Sequence, residues 1–229
     1  MIDAPTAFRL DCARPLLLAT FPAPQRMVGW ALQNPGFVMA DRVAWLEVRD
    51  ADLPTSRNPA LWLTERLSAL GAGGAVGMMT ARNVALHHVA MCTVEGVRAE
   101  CVVTAGLSNA ERIGRRFRAD PVRAGTINIL CHVSVPLTDG ALIEALALVV
   151  QARTVAILEA GHRPVADVPP VTGTGTDCVV MAAPCPANGT LPAPYAGMHT
   201  AIGEAIGHAA FAATAAAVSE WIEAPPGRP

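Results

Sequence analysis

Between Ile127 and Val135 the chain alternates. Ile127, Ile129, Cys131, Val133 and Val135 fall on one side of an extended strand, with Asn128, His132 and Ser134 on the other. Leu86 to Val94 and Val97 to Ala105 are apolar runs around Glu95-Gly96, which predicts a hairpin with Val97, Ala99, Cys101, Val103 and Ala105 on one face. Shorter strands are expected at Leu16 to Thr20 and Val43 to Val48, separated by the turn residues Asn34-Pro35-Gly36, and another at Cys178 to Ala183. Helical spacing appears in three places. One helix starts after Asn58 with Pro59 in its first turn and ends before Gly71. A second is capped by Thr138-Asp139, carries the stripe Leu142, Leu146, Val149 and Ile157, and stops at Gly161. The last runs from about Thr200 to Ile222, where Gly203, Gly207 and Ala210 permit close approach of another element. Gly71 to Gly77 is too glycine-rich for either regular element. The expectation is an α+β fold, a layered mixed β-sheet with long helices packed on it, its strand order left open. We expect a single domain over residues 1–229, with a less clearly patterned part (1–75), a motif-bearing part (76–222) and a disordered tail at 225–229.

Composition narrows the function classes. Apolar residues make up 52% of the 229 positions and charged ones 16%, ample for a core and contrary to disorder. A net charge of −2 lacks the basic footprint of a nucleic-acid binder. All seventeen basic residues are arginine, which excludes a Schiff-base lysine, a Ser–Lys dyad and a P-loop lysine. The apolar stretch from Ala141 to Ala160 is interrupted by Glu144, Gln151, Arg153 and Glu159, so a cytoplasmic, non-membrane protein is expected. None of the six cysteines forms a CxxC pair, and buried, reduced thiols are anticipated. The arginines at 112, 115, 116, 118 and 123 read as a solvated loop ahead of an anionic-ligand contact.

Four polar segments interrupt these apolar runs. Gly173-Thr174-Gly175-Thr176-Asp177 can gather backbone N–H groups and hydroxyls into one concavity, suited to an oxyanion or a polar ligand, or can be a tight turn closed by Asp177. It lacks GxGxxG spacing and precedes a strand, so it is no dinucleotide fingerprint. His199, beside the cap residue Thr200, is a candidate base. Glu204 and His208 share a helix face and read as an exposed pair ahead of a metal site. Of His87 and His88, at least one is expected in the core. Ser108, Asn109, Thr126 and Asn128 follow apolar strands and can close turns, or offer neutral hydrogen bonds to an amide-rich substrate.

TAGLSNA at 104–110, GTINI at 125–129, PLTDGAL at 136–142, TGTGTD at 172–177 and YAGMHTAIGEAIG at 195–207 occur in that order, and this pattern resembles the adenosylcobinamide amidohydrolase family of corrinoid salvage. The likeness runs from about Val76 to Ala217 and more faintly to the N-terminus. It implies hydrolysis of the amide between the corrin propionate and aminopropanol, giving adenosylcobyric acid and 1-amino-2-propanol. Such chemistry needs a nucleophile, an oxyanion stabiliser and an acid for the departing amine. On this basis Asp177 and His199 are assigned to water activation and proton delivery. The N–H groups of Gly173, Thr174, Gly175 and Thr176 form the oxyanion hole. Ser108, Asn109, Thr126, Asn128 and Tyr195 hold the substrate. A covalent route through Thr176 or Ser108 is the second choice. No metal or dissociable cofactor is expected, since the corrinoid brings its cobalt as substrate. Neither a nucleic-acid nor a membrane partner is expected, while the small-residue face of the last helix is a candidate contact in a homo-oligomer. The competing readings are a corrinoid carrier without catalysis and an amidohydrolase acting on complete cobamides.

Overall fold

A computed structural model describes residues 6–54, 56–115, 125–164 and 168–224. The strands are β1 (Arg9–Ala13), β2 (Leu16–Gly29), β3 (Gly36–Glu47), β4 (Val76–Thr80), β5 (His88–Val94), β6 (Val97–Ala105), β7 (Ala110–Glu111), β8 (Ile127–Val133), β9 (Gly173–Thr174) and β10 (Cys178–Pro184); the helices are α1 (Pro59–Ala69), α2 (Asp139–Ala160) and α3 (Ala201–Glu223). One mixed eight-stranded sheet has the order β4-β3-β2-β10-β8-β6-β5, with β1 beside β2, and β7 pairs with β9 in a small ribbon. The β3–β4 and β8–β10 pairs are parallel; the others are antiparallel.

Three apolar clusters define the layers. The largest packs Cys101, Val103, Ile129, Cys131 and Met181 of the central strands against α2 and α3. The second joins the opposite faces of those strands, at Val102, Leu130 and Val180, to Leu17, Val43, Trp45, Val76 and Met78. The third sets Ala44 and Leu46 against Leu63 and Leu67 of α1. The sheet is therefore folded back on itself, and the layers run helices, sheet, sheet, helix. The bend coincides with the irregular register of β2 and β3 between Thr20 and Gln25. This is the α+β layered sheet expected.

Helix ends follow their cap residues. Asn58 accepts from the N–H groups of Ala60 and Leu61, Thr138 from Ala141, and Thr200 from Gly203; Gly161 ends α2 at φ 67°. The hairpin turns at Glu95 (φ 50°) and Gly96 (φ 82°). Several expectations are corrected. β2 and β3 are far longer than the short strands anticipated, because each serves both halves of the bent sheet. Glycine-rich 71–77 runs into β4, whose residues are buried by layers on both sides. Val84–Leu86 is a 3₁₀ turn capped by Asn83, which delays β5 to His88. Neither His87 nor His88 is a core residue: both are half-buried, bonded to Val84 O and Glu220 respectively. Only Cys101 and Cys131 of the six free cysteines are buried, directly opposite each other on β6 and β8. Both α2 and α3 are long and apolar enough to cross a membrane, yet Leu142, Leu148, Val149 and Ile157 of α2 and Ile202, Ile206 and Val218 of α3 lie in the core against the sheet. The tail at 225–229 and the arginines at 116, 118 and 123 lie outside the described residues.

Candidate active site

Parallel pairing of β8 with β10 brings the starts of both strands to one edge of the sheet. Antiparallel pairing of β6 with β8 delivers the C-terminal end of β6 to that same edge. The segments TAGLSNA, GTINI and TGTGTD, distant in sequence, therefore converge.

Asp177 organises the meeting point. One carboxylate oxygen accepts from the Ile127 N–H at 3.0 Å and from the Thr174 hydroxyl; the other accepts from the Thr174 N–H at 3.1 Å and pairs with the Arg153 guanidinium of α2 at 3.0 Å. Arg153 and Asp177 side chains are 11% and 8% exposed, so water screens the pair little. Both carboxylate oxygens have two donors. This geometry makes Asp177 the anchor of the Gly173–Thr176 loop and leaves it poorly placed to take a proton from water. Gly173 leaves room for this arrangement, since a Cβ there would lie 2.6 Å from Asp177 Oδ2 and displace the carboxylate.

Around this anchor the Thr126 hydroxyl donates to Thr176 O at 2.7 Å, the Thr176 hydroxyl donates to Gly125 O at 2.9 Å, and Asn109 Nδ2 reaches Thr176 Oγ1 at 3.4 Å. Thr176, Gly175 and Ser108 are exposed, while Asn109 Oδ1 is buried without a partner. An open cavity of about 540 Å³ adjoins the loop, bounded by Gly175 and by Glu111, Arg112, Gly114 and Arg115. Thus two arginines of the supposedly solvated stretch face a cavity, although Arg112 also donates to Pro170 O. Cys178, next to the loop, is held in its protonated form: burial pushes its thiol up to about 11, helped by the Asp177 charge.

Two other assignments separate from this cluster. Asn128 is wholly buried; its amide donates to Met79 O at 2.7 Å and its carbonyl oxygen lies 3.3 Å from the Thr126 hydroxyl, so it ties the two halves of the sheet together instead of facing a ligand. His199 and Tyr195 stand at the other end of α2. Glu144 accepts from the Ala196 N–H at 2.7 Å, and Leu137 bridges Ala193, which seats the 195–200 segment near the start of that helix. Arg153, which holds Asp177, is nine residues further on, about 13 Å of helix axis. His199 is exposed there and does not join Asp177 in one centre. Glu204 and His208 are exposed, and the described residues contain no group of three His, Cys, Asp or Glu side chains arranged to hold a metal.

Arg153 and Trp30 were not anticipated. An arginine inside an apolar helix was the available signal for the first. For Trp30, whose indole N–H donates to Asp177 O at 2.5 Å, sequence offered none.

The family model described as CbiZ, adenosylcobinamide amidohydrolase, matches residues 1–226. The chain belongs to the adenosylcobinamide amidohydrolase family. A relative from Halobacterium salinarum named adenosylcobinamide amidohydrolase is 31% identical over 207 residues, covering 86% of this chain and 77% of that protein. One of the same name from Methanosarcina mazei is 32% identical over 137 residues, covering 57% and 60%. Among solved structures, a Burkholderia sp. beta-aminopeptidase aligns with TM-score 0.45 at 12% identity over 89% of this chain and 78% of its own. The L-aminopeptidase D-Ala-esterase/amidase of Ochrobactrum anthropi, described as a variant of the Ntn hydrolase fold, aligns with TM-score 0.40 at 9% identity over 93% and 83%. As a member of the adenosylcobinamide amidohydrolase family, the chain is an amidohydrolase.

Proposed function

We propose that the chain hydrolyses the amide between the corrin propionate and aminopropanol of adenosylcobinamide, at the edge where TAGLSNA, GTINI and TGTGTD meet. Oxygen from water ends on the acyl carbon, the C–N bond breaks, and the nitrogen takes a proton to leave as 1-amino-2-propanol; adenosylcobyric acid is the other product. The convergence of three family motifs on one hydrogen-bonded loop beside a cavity supports this reading. The Thr174 and Thr176 N–H groups are held inside the loop by Asp177 and the Thr174 hydroxyl, so the N–H of exposed Gly175 and the Asn109 amide are the donors suited to polarise the carbonyl, with Thr176 and Ser108 the exposed hydroxyls beside them. Asp177 acts as a positioning residue. The six free cysteines accord with a cytoplasmic place of action.

Release of 1-amino-2-propanol from adenosylcobinamide, followed by mass spectrometry with and without chelator, tests the reaction. Asp177→Asn is expected to lower turnover by more than about tenfold, while His199→Ala stays within about twofold. The opposite order would move the active site to the far end of α2.

A further inference from the structure

We propose that Trp30 is a specificity-determining residue whose exposed ring face receives a flat conjugated ring of the substrate. The inference rests on the amide hydrolysis proposed above.

Trp30 directly follows β2, and its indole N–H bonds to the backbone of Asp177 at 2.5 Å. Its own carbonyl faces Cys178 Sγ at 3.7 Å. The ring is thus held against the loop that carries Thr174 and Thr176, yet it remains 43% exposed, whereas Trp45 is completely buried. Phe37, on β3 opposite Val28, is 54% exposed, and Leu32 is 37% exposed. Val28 belongs to the cluster under α2, so strand alternation places Trp30 and Phe37 toward that helix-bearing face. The register pair between them, Gly29 and Gly36, has no side chains. The result is an apolar, aromatic shelf continuous with the polar loop, and apolar surface left open beside a binding site usually has an occupant.

The architecture of the substrate indicates what that occupant is. The scissile amide of a corrinoid sits on an arm at the rim of its macrocycle, and the open cavity next to Gly175 lies beside the loop that would receive that arm. With the scissile arm at the loop, the ring system must lie outside, against whatever borders the loop. The shelf offers it an apolar face, and stacking needs no directional polar group from the ligand. A corrinoid with an adenosyl group carries two conjugated systems, the corrin itself and the adenine, and either is chemically suited to the indole.

The test uses Trp30→Leu, which keeps apolar bulk without a ring, and Trp30→Phe, which keeps a ring without the N–H bond to Asp177. Steady-state hydrolysis of adenosylcobinamide should show KM raised about tenfold in Trp30→Leu with kcat nearly unchanged, and KM largely restored in Trp30→Phe. A loss of kcat at constant KM, or equal defects in both variants, would reduce Trp30 to a support for the loop and overturn the proposal. An unchanged KM in Trp30→Leu would do the same. If the defect persists with cobinamide lacking the adenosyl group, the corrin is the ring recognised; if it disappears, the adenine is. Should Asp177→Asn also turn over normally, it is the location of the active site that fails, and the shelf with it.

Discussion

Asp177 and Arg153 form a pair in which neither partner can be removed alone without leaving a buried group stranded. Arg153→Met is expected to cost about 3 kcal/mol, measured by urea unfolding. The double variant with Asp177→Asn should cost clearly less than the sum of the two, since the charges strand only when separated. Gly173→Ala is the sharper probe of the loop. Its Cβ would meet Asp177 Oδ2 at 2.6 Å, so the carboxylate must leave the Thr174 N–H. Turnover should fall strongly while the far-UV circular dichroism remains that of the parent. The sequence showed that Asp177, Thr174 and Thr176 belong together, because they sit in one pentad. It could not show that Asp177 faces Arg153, because that contact depends on α2 returning across β10. Nor could it show that His199 lies apart, since five motifs in order along a chain carry no information about which end of a helix each one occupies.

The three helices were legible nearly to the residue because their ends are written in local chemistry: Asn58, Thr138 and Thr200 before them, and Gly161 after α2. Thr138→Ala should accordingly lower stability by about 1 kcal/mol. Strands are defined by their neighbours, and there the pattern misled. β4 has no polar face to alternate, and β2 changes layer at its bend, so only its first few residues looked like a strand. The small residues of α3 also divide once packing is known. A Cβ on Gly203 would stand 2.2 Å from Gly197 O, whereas one on Gly207 meets nothing within 4 Å. Gly203→Ala should therefore disrupt the seating of the 195–200 segment on α3. Gly207→Ala should be neutral or stabilising by up to about 1 kcal/mol, since alanine is the better helix former; thermal melts of the two variants separate these outcomes.

Across the whole molecule, the space between the two halves of the sheet is closed by polar groups at both ends, Asn128 with Met79 at one and His132, Gln25 and Glu100 at the other. His132 is 5% exposed, and burial, aided by the Arg98 charge, lowers its pKa from 6.5 to about 4. A histidine kept neutral in the fold contributes stability that is complete above pH 6.5 and is lost as the pH falls toward 4, about 3 kcal/mol in all. Glu100, opposite His132 on β6, is shifted upward by burial and acts with the other sign: its protonation on acidification favours the fold. Denaturant midpoints between pH 7 and 4 should decline for the parent protein and decline less for His132→Gln. The alternation in β8 foretold that His132 faces away from the helices. That this second face is also dry follows only from the folding back of the sheet.

The pairing of β2 with β10 joins residues 25–29 to residues 180–184. During synthesis, then, the first strand able to build the central sheet is complete while most of the chain has yet to leave the ribosome. Until β10 arrives, β2 can pair with β3 on one edge and with β1 along residues 16–20 of the other, but residues 25–29 of that second edge stay open, and loop closure of that length slows folding and exposes the nascent sheet to aggregation. The central sheet therefore stays half-built until the last quarter of the protein emerges.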